Sequence, residues 1–313
     1  MATRRAQECR VDFSGALNSG DFEKTLAEIR GARRSRGRFT FDLDGTTFAQ
    51  LDVLVSLLFV CNELCAEGNA VTLQWAETKV RTYADRIGFF EHLAEEVTVI
   101  PDRPAGRLYR RYRSNNQQIL EMTALPPGDD RQAAGDALTS LNDSLAANLD
   151  GAASDKVIAD IWTFASEALD NIFEHADARR AGVVAAQRYE SPTRGSRLQL
   201  VIADAGLGVL STLRDGNPQA ASLPDRELLL AAFREGLSRK KDRGRGCGLV
   251  LCAQVAARYG ANLTVRSGEM WAMLVTKSAK TGISIGIFND EVAPVVGTQI
   301  TLELYLDRLA GHG

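Results

Sequence analysis

The sequence predicts a chain of two domains, an α/β half followed by an α+β half. Three observations lead there. Strand and helix signals alternate over the first hundred residues. A basic and then Pro/Gly-rich stretch interrupts them at 101–130. Beyond it, two long helical patterns come first and most of the strands come later. At 313 residues the chain is long enough to bury a core in each half.

The elements follow in order. "CRVDFSG" reads as a short strand ending in a turn, and "SGDFEKTLAEIRGARR" opens with a Ser/Gly/Asp cap before an amphipathic helix. "RFTFDLDG" alternates and ends in Asp-Gly, a strand and a turn. "FAQLDVLVSLLFVCNELCAEG" is a largely apolar helix closed by a glycine. "NAVTLQW" is a strand, and "ETKVRTYADRIGFFEHLA" is helical with a break near Gly88. This β-α-β-α-β-α order predicts a small parallel sheet with crossover helices in residues 1–100.

"PDRPAGRLYRRYRSNNQQ" and the breaker "ALPPGDD" read as a linker at 101–130. Helices are expected over about 131–149 and 154–178, then a strand pair, "AGVVAAQRYE" and "SRLQLVIADA". Residues 206–248 are rich in glycine and charge. "CGLVLCAQVAARYG" is a helix ending at Gly260, followed by strands in "ANLTVRS", "MWAMLVTK", "ISIGIF" and "GTQITLELYL". Residues 131–313 thus predict a two-layer domain, a mixed but mostly antiparallel sheet covered by helices.

Composition excludes several classes. The chain is 45% hydrophobic and 25% charged, with a net charge of −3. That argues against the whole molecule being a nucleic-acid binder. The N-terminus has no apolar run behind its arginines, so no signal peptide is expected. The longest apolar stretch, "LDVLVSLLFVC", is too short to span a bilayer and holds an Asp. Cys9, Cys61, Cys65, Cys247 and Cys252 form no CxxC pair, and the histidines lie far from them in sequence. Reduced thiols in a cytoplasmic protein are the expected reading, without zinc or membrane.

The chemistry concentrates in four places. In "SEALDNIFEHAD", Glu167, Asn171 and His175 stand four residues apart. Each four-residue step turns a helix by about 40°, so the three lie on one drifting stripe. A solvated face and a row of ligands are both open readings of that stripe. Asp204, Gly206 and Gly208 end a strand, and Gly244, Gly246 and Gly248, with Leu249, open a helix. Alternate glycines let backbone approach a ligand, and a helix start presents free N–H groups to phosphate. Gly297 and Thr298 open the last strand. No GxxxxGK[ST] is present, which excludes a P-loop, and the 244 cluster is GxGxG preceded by a basic segment, which argues against a Rossmann site.

The ordered set resembles the GHKL superfamily of ATP-binding domains: gyrase-type topoisomerases, the ninety-kilodalton heat-shock chaperone, mismatch-repair ATPases and sensor histidine kinases. The resemblance covers about residues 131–307 and implies a Bergerat-type fold with ATP and Mg²⁺ as ligands. Asn171 matches the family's magnesium ligand, and an amide oxygen suits a hard cation. Glu167 matches the carboxylate that positions or deprotonates the attacking water. His175 falls where sensor kinases carry a phosphate-facing residue, although a helix-end role is equally open. Asp204 matches the adenine-reading aspartate, with Gly206 and Gly208 letting the base lie close to the backbone. Thr298 matches a hydroxyl supporting the base. Gly244, Gly246 and Gly248 match the hinge of an ATP lid. Of Lys240, Lys241 and Arg243 just before it, Lys241 is the candidate phosphate contact, with a solvated charge run as the alternative.

"FTFDLDGTTFAQLDVLVSLL" resembles the central strand-turn-helix of STAS domains, the fold of anti-sigma-factor antagonists, over about residues 9–100. In regulated members a serine at the helix start accepts phosphate. Here Gln50-Leu51-Asp52 carries no hydroxyl, and Thr46 and Thr47 nearby suit a turn. His92, in "FFEHLAEEV", is not in the acceptor box of sensor kinases. The resemblance implies a nucleotide-binding regulatory protein with a protein partner, in which a lid at 209–248 closes over ATP, with homodimerisation as one route. A serine/threonine kinase acting on a STAS partner and a non-catalytic nucleotide-stabilised module remain alternatives. The "RLYRRYR" segment reads as a solvated linker or an interdomain helix rather than a nucleic-acid surface.

Overall fold

The computed structural model describes residues 7–32, 37–112, 119–125, 131–149, 152–175, 182–191, 193, 195–220, 222–237, 248–278 and 282–311. The chain divides into two compact units, residues 1–113 with 291–295, and residues 114–290 with 296–313.

The N-terminal unit runs β1 (Gln7–Leu17), α1 (Ser19–Leu26), α2 (Ile29–Ala32), β2 (Gly37–Ala49), α3 (Leu51–Ala66), β3 (Ala70–Gln74), α4 (Lys79–Arg86), α5 (Phe89–His92), β4 (Thr98–Ile100) and α6 (Arg107–Tyr112). Its sheet is parallel throughout, in the order β1-β2-β3-β4. That order advances in one direction, and right-handed crossovers then place the connecting helices on a single face. The burial of β2 follows: Phe39, Phe41 and Leu43 are buried, Thr40 and Asp42 between them are half-buried, and Arg38 and Asp44 on either side are exposed. The helix starts use local chemistry. Asn18 caps α1 by accepting from the Asp21 N–H at 3.1 Å, and Thr78 caps α4 by accepting from the Arg81 N–H at 3.2 Å. The Arg103 guanidinium donates to the carbonyls of Leu93, Ala94 and Val97, tying down the turn after α5.

The C-terminal unit runs β5 (Ile119–Leu125), α7 (Arg131–Asn148), α8 (Ala152–His175), β6 (Gly182–Ser191), β7 (Gly195–Ala203), α9 (Val209–Gly216), a 3-10 turn (Pro218–Ala220), α10 (Asp225–Glu235), α11 (Gly248–Arg258), β8 (Asn262–Gly268), β9 (Met270–Ser278), β10 (Gly282–Asn289), β11 (Val295–Tyr305) and a closing 3-10 turn (Leu306–Gly311). Its seven strands lie in the order β10-β9-β8-β11-β7-β6-β5. The pairs β10/β9, β9/β8, β11/β7, β7/β6 and β6/β5 are antiparallel. One apolar core joins helices to sheet: Ile161, Phe164 and Ala168 of α8 and Cys252 and Ala256 of α11 meet Leu200, Ile202, Leu263, Ile300 and Leu302. A fully buried Leu or Phe there contributes roughly 1.5–3 kcal/mol.

Three elements depart from the reading of the sequence. Residues 119–125 form a strand within the stretch whose composition reads as a linker, while the short helix at 107–112 is one of the two readings its Arg/Tyr run left open. Leu120 and Leu125 of that strand join the core, and β5 pairs with β6. The glycine- and charge-rich stretch after Gly208 holds α9 and α10, whose Leu210, Leu213, Leu228, Leu229, Ala232 and Phe233 are buried. Within the segment read as a lid, α9 and α10 therefore pack one face into the core, and 238–247 of that segment lie outside the described residues. Among the described residues, no helix is long and apolar enough to cross a membrane. Cys9, Cys61, Cys65 and Cys252 are free thiols, and burial pushes Cys61 and Cys252 well up; Cys247 lies outside the described residues.

Candidate functional site

The site is built where β7 and β11 run side by side and α8 and α11 cross above them. Strand β7 ends at Ala203, so Asp204 emerges from the sheet with its backbone still paired: its N–H donates to the Thr298 carbonyl at 2.9 Å. The Asp204 side chain is 6% exposed. Oδ1 accepts from the Gly206 N–H at 2.6 Å, and Oδ2 accepts from the Thr298 N–H at 3.2 Å. Burial pushes this carboxyl up to about 6, against the pull of those two backbone donors. The carboxylate is thus fixed in direction while its charge is only partly compensated, a state that favours a ligand donor.

Thr298 completes this corner. Its Oγ1 accepts from the Val209 N–H, the first of α9, at 2.8 Å. Gly208 precedes that helix at φ 83°, in the region glycine favours. A cleft opens here, lined by Ala168, Asn171, Ile202, Asp204, Gly208, Val209, Leu249, Thr298 and Ile300. Its walls are aliphatic and its polar groups few and convergent, the usual make-up of a small-ligand site.

Asn171 enters from α8. Its Nδ2 donates to the Glu167 carbonyl one turn back at 2.7 Å, which leaves Oδ1 as the amide's acceptor for a ligand. Glu167 lies one turn nearer the helix start. Burial, and then the Asp170 charge, push its carboxyl up. Gly248, the first residue of α11, is packed against both: a Cβ there would fall 2.8 Å from Glu167 Oε2 and 3.1 Å from Asn171 Nδ2. A side chain there would displace the ends of Glu167 and Asn171 from the positions they hold. The Cys252 thiol, one turn into α11, donates to the Phe164 carbonyl at 3.6 Å and locks the same crossing.

Asn171, Asp204, Gly208, Leu249 and Thr298 therefore share one cleft, with Gly206, Glu167 and Gly248 at its rim. His175 is the last residue of α8, one turn beyond Asn171, and its side chain lies outside the described residues. Lys241, Gly244 and Gly246, with Lys240 and Arg243, also lie outside them. Reading the sequence did not single out the apolar walls, Ala168, Ile202, Val209 and Ile300. It also missed Ser267, whose hydroxyl donates to the Gly297 carbonyl at 3.0 Å.

The donor set fits a magnesium ion held largely by its ligand. Among the described residues no group of three or more His, Cys, Asp or Glu side chains is placed to hold a metal. One amide oxygen, with phosphate oxygens and water completing the shell, is what Mg²⁺ commonly accepts.

The C-terminal unit is an α/β sandwich with a cleft against its sheet. The family model described as histidine kinase-, DNA gyrase B-, and HSP90-like ATPase matches residues 158–308. The match runs from within α8 to just past β11 and spans every described residue of the cleft. It places a domain of this ATPase kind there and implies ATP binding. No curated protein matches the chain.

Proposed function

We propose that the chain is an Mg-ATP-binding regulatory protein that hydrolyses ATP slowly and presents its nucleotide state to a protein partner. The observation that carries this is one cleft lined by Asp204, Asn171 and Leu249 of α11, with Glu167 and Asn171 against Gly248 at the start of that helix. Asp204 accepts from the exocyclic amine of adenine, and the aliphatic walls hold the base. Asn171 Oδ1 takes a place in the magnesium shell. The first N–H groups of α11 face the phosphates. The bound magnesium neutralises phosphate charge. Glu167, held up from its usual range by burial, takes the proton of an attacking water.

The N-terminal unit is read as a STAS-like interaction domain. Its alternating strands and helices and its parallel sheet support that reading. The start of α3 carries Gln50 and the buried Asp52, which accepts from the Ser19 hydroxyl, rather than a free hydroxyl. His92 sits in a one-turn helix with its ring edge-on to Tyr109 at 6.2 Å, which argues against a phosphoacceptor role. A kinase acting on a separate partner is the alternative. Incubation of the pure protein with γ-labelled ATP separates the readings: label released as phosphate supports hydrolysis, transfer to an added partner supports the kinase. Absence of binding by Mg-ATP in calorimetry would sink both.

A further inference from the structure

Ser267 is next to last in β8, 1% exposed, and outside the lining of the cleft. Its hydroxyl donates to the Gly297 carbonyl at 3.0 Å. That carbonyl and the Thr298 N–H are the two ends of one peptide unit. The other end donates to Asp204 Oδ2 at 3.2 Å. A peptide is a rigid plane, so fixing the carbonyl at one edge fixes the direction of the N–H at the other. Accepting a hydrogen bond at the oxygen also polarises the N–H, strengthening what it donates.

This plane needs a lock. On its N-terminal side stands Gly297 at φ 81°, a residue whose backbone resists rotation least. On the other side Thr298 spends an acceptor lone pair on the Val209 N–H at 2.8 Å. Its Oγ1 is 3.5 Å from Ser267 Oγ, a long contact. Ser267 has one proton, and Gly297 takes it. In the contact between the two hydroxyls Thr298 is then the donor and Ser267 Oγ the acceptor. Gly208 makes room for this arrangement, since a Cβ there would fall 2.6 Å from Ser267 Oγ and 3.0 Å from the Gly297 oxygen.

We infer that Ser267 is a positioning residue for base recognition: through the Gly297–Thr298 peptide it aims the Asp204 carboxylate at the ring amine of the nucleotide. The inference rests on the reading of this cleft as an adenine site. A residue that only filled space would support every nucleotide alike. A residue that aims Asp204 supports those with an amine to donate.

The test compares ATP with purine riboside triphosphate, which lacks that amine, by calorimetry on the full chain. The wild-type protein prefers ATP by about tenfold or more, the value of a hydrogen bond to a charged acceptor. Ser267→Ala shrinks that preference by roughly three- to tenfold. Ser267→Cys fills the same space with a weaker donor and loses preference in the same direction. Val265→Ala, on the same face of the strand but within the apolar core and without a hydrogen bond to Gly297, lowers the melting temperature and leaves the preference intact. A Ser267→Cys protein with wild-type preference would overturn the inference. A wild-type protein that does not distinguish the two nucleotides would instead overturn the adenine reading, and the role of Ser267 with it.

Discussion

Gly297 lies flush against Asp204: a Cβ at Gly297 would fall onto the Asp204 carbonyl, and 2.8 Å from its Oδ1. The nearest obstruction is backbone, so no side-chain rotation relieves it. The residue also sits at φ 81°, where an L side chain is strained. Gly297→Ala is therefore expected to cost about 2 kcal/mol or more in stability, from overpacking and backbone strain together. ATP affinity falls with it, because the displaced group is the base-facing carboxylate. Urea unfolding and calorimetry on one preparation check both. A variant with wild-type midpoint and affinity would show that the two strands do not meet as described.

The Asp204 carboxyl yields an opposed pair of pH effects. Burial raises it to about 6 in the folded state; in the unfolded chain it stays near its ordinary value of about 4. Between those values the folded protein holds a proton that the unfolded chain has released. The associated stability is full below about pH 4 and is lost as pH rises through about 6, on the order of 2–3 kcal/mol in all. Nucleotide binding runs the other way, since only the carboxylate accepts from an amine. ATP affinity should weaken up to about tenfold per pH unit below 6. Melting curves of wild type and Asp204→Asn from pH 4 to 8 isolate the first effect. A constant difference between their melting temperatures across that range would remove Asp204 as its source.

Much of this site was legible because its parts carry their chemistry locally. Glu167 and Asn171 are one helical turn apart, and their spacing alone aligns them. Asp204, Gly206 and Gly248 stand at strand and helix ends that glycine marks in the sequence. What joins these parts is not local. Ser267 meets Gly297, and Thr298 meets Val209, across long stretches of chain that no pattern announces. The helix α10 went unread because its buried Leu228, Leu229, Ala232 and Phe233 stand among Asp, Arg and Glu residues and follow a Pro- and Ser-containing stretch. Strand β5 went unread for a similar reason: Leu120 and Met122 alternate correctly, but a basic polar run and a Pro-Pro-Gly flank them. Tertiary burial decided both segments where composition pointed to a loop.

Asn171 separates metal-dependent from metal-free binding. Its Nδ2 is committed to the Glu167 carbonyl at 2.7 Å, so truncation removes one ligand oxygen and little packing. Asn171→Ala should weaken Mg-ATP binding by about 2 kcal/mol, roughly thirtyfold. Binding of ATP in excess chelator should change far less. Calorimetry under the two conditions makes the comparison, and equal losses in both would assign Asn171 to packing rather than to the metal.

Glu167 and Gly248 test the catalytic end together. Glu167→Gln keeps the size of the side chain and removes its basicity. ATP hydrolysis should fall about a hundredfold or more, the scale of general base catalysis, while ATP affinity holds. Gly248→Ala acts on the same carboxylate from outside. Its new methyl would stand 2.8 Å from Glu167 Oε2 and 3.1 Å from Asn171 Nδ2. Both are side-chain ends, so the fold survives by turning them away. Hydrolysis and magnesium-dependent affinity should then fall together in Gly248→Ala, whereas Glu167→Gln loses hydrolysis alone. Phosphate release and Mg-ATP binding measured on the two variants give the contrast. If Gly248→Ala hydrolyses ATP at the wild-type rate, Glu167 does its work, if any, from a position other than the one it holds beside α11.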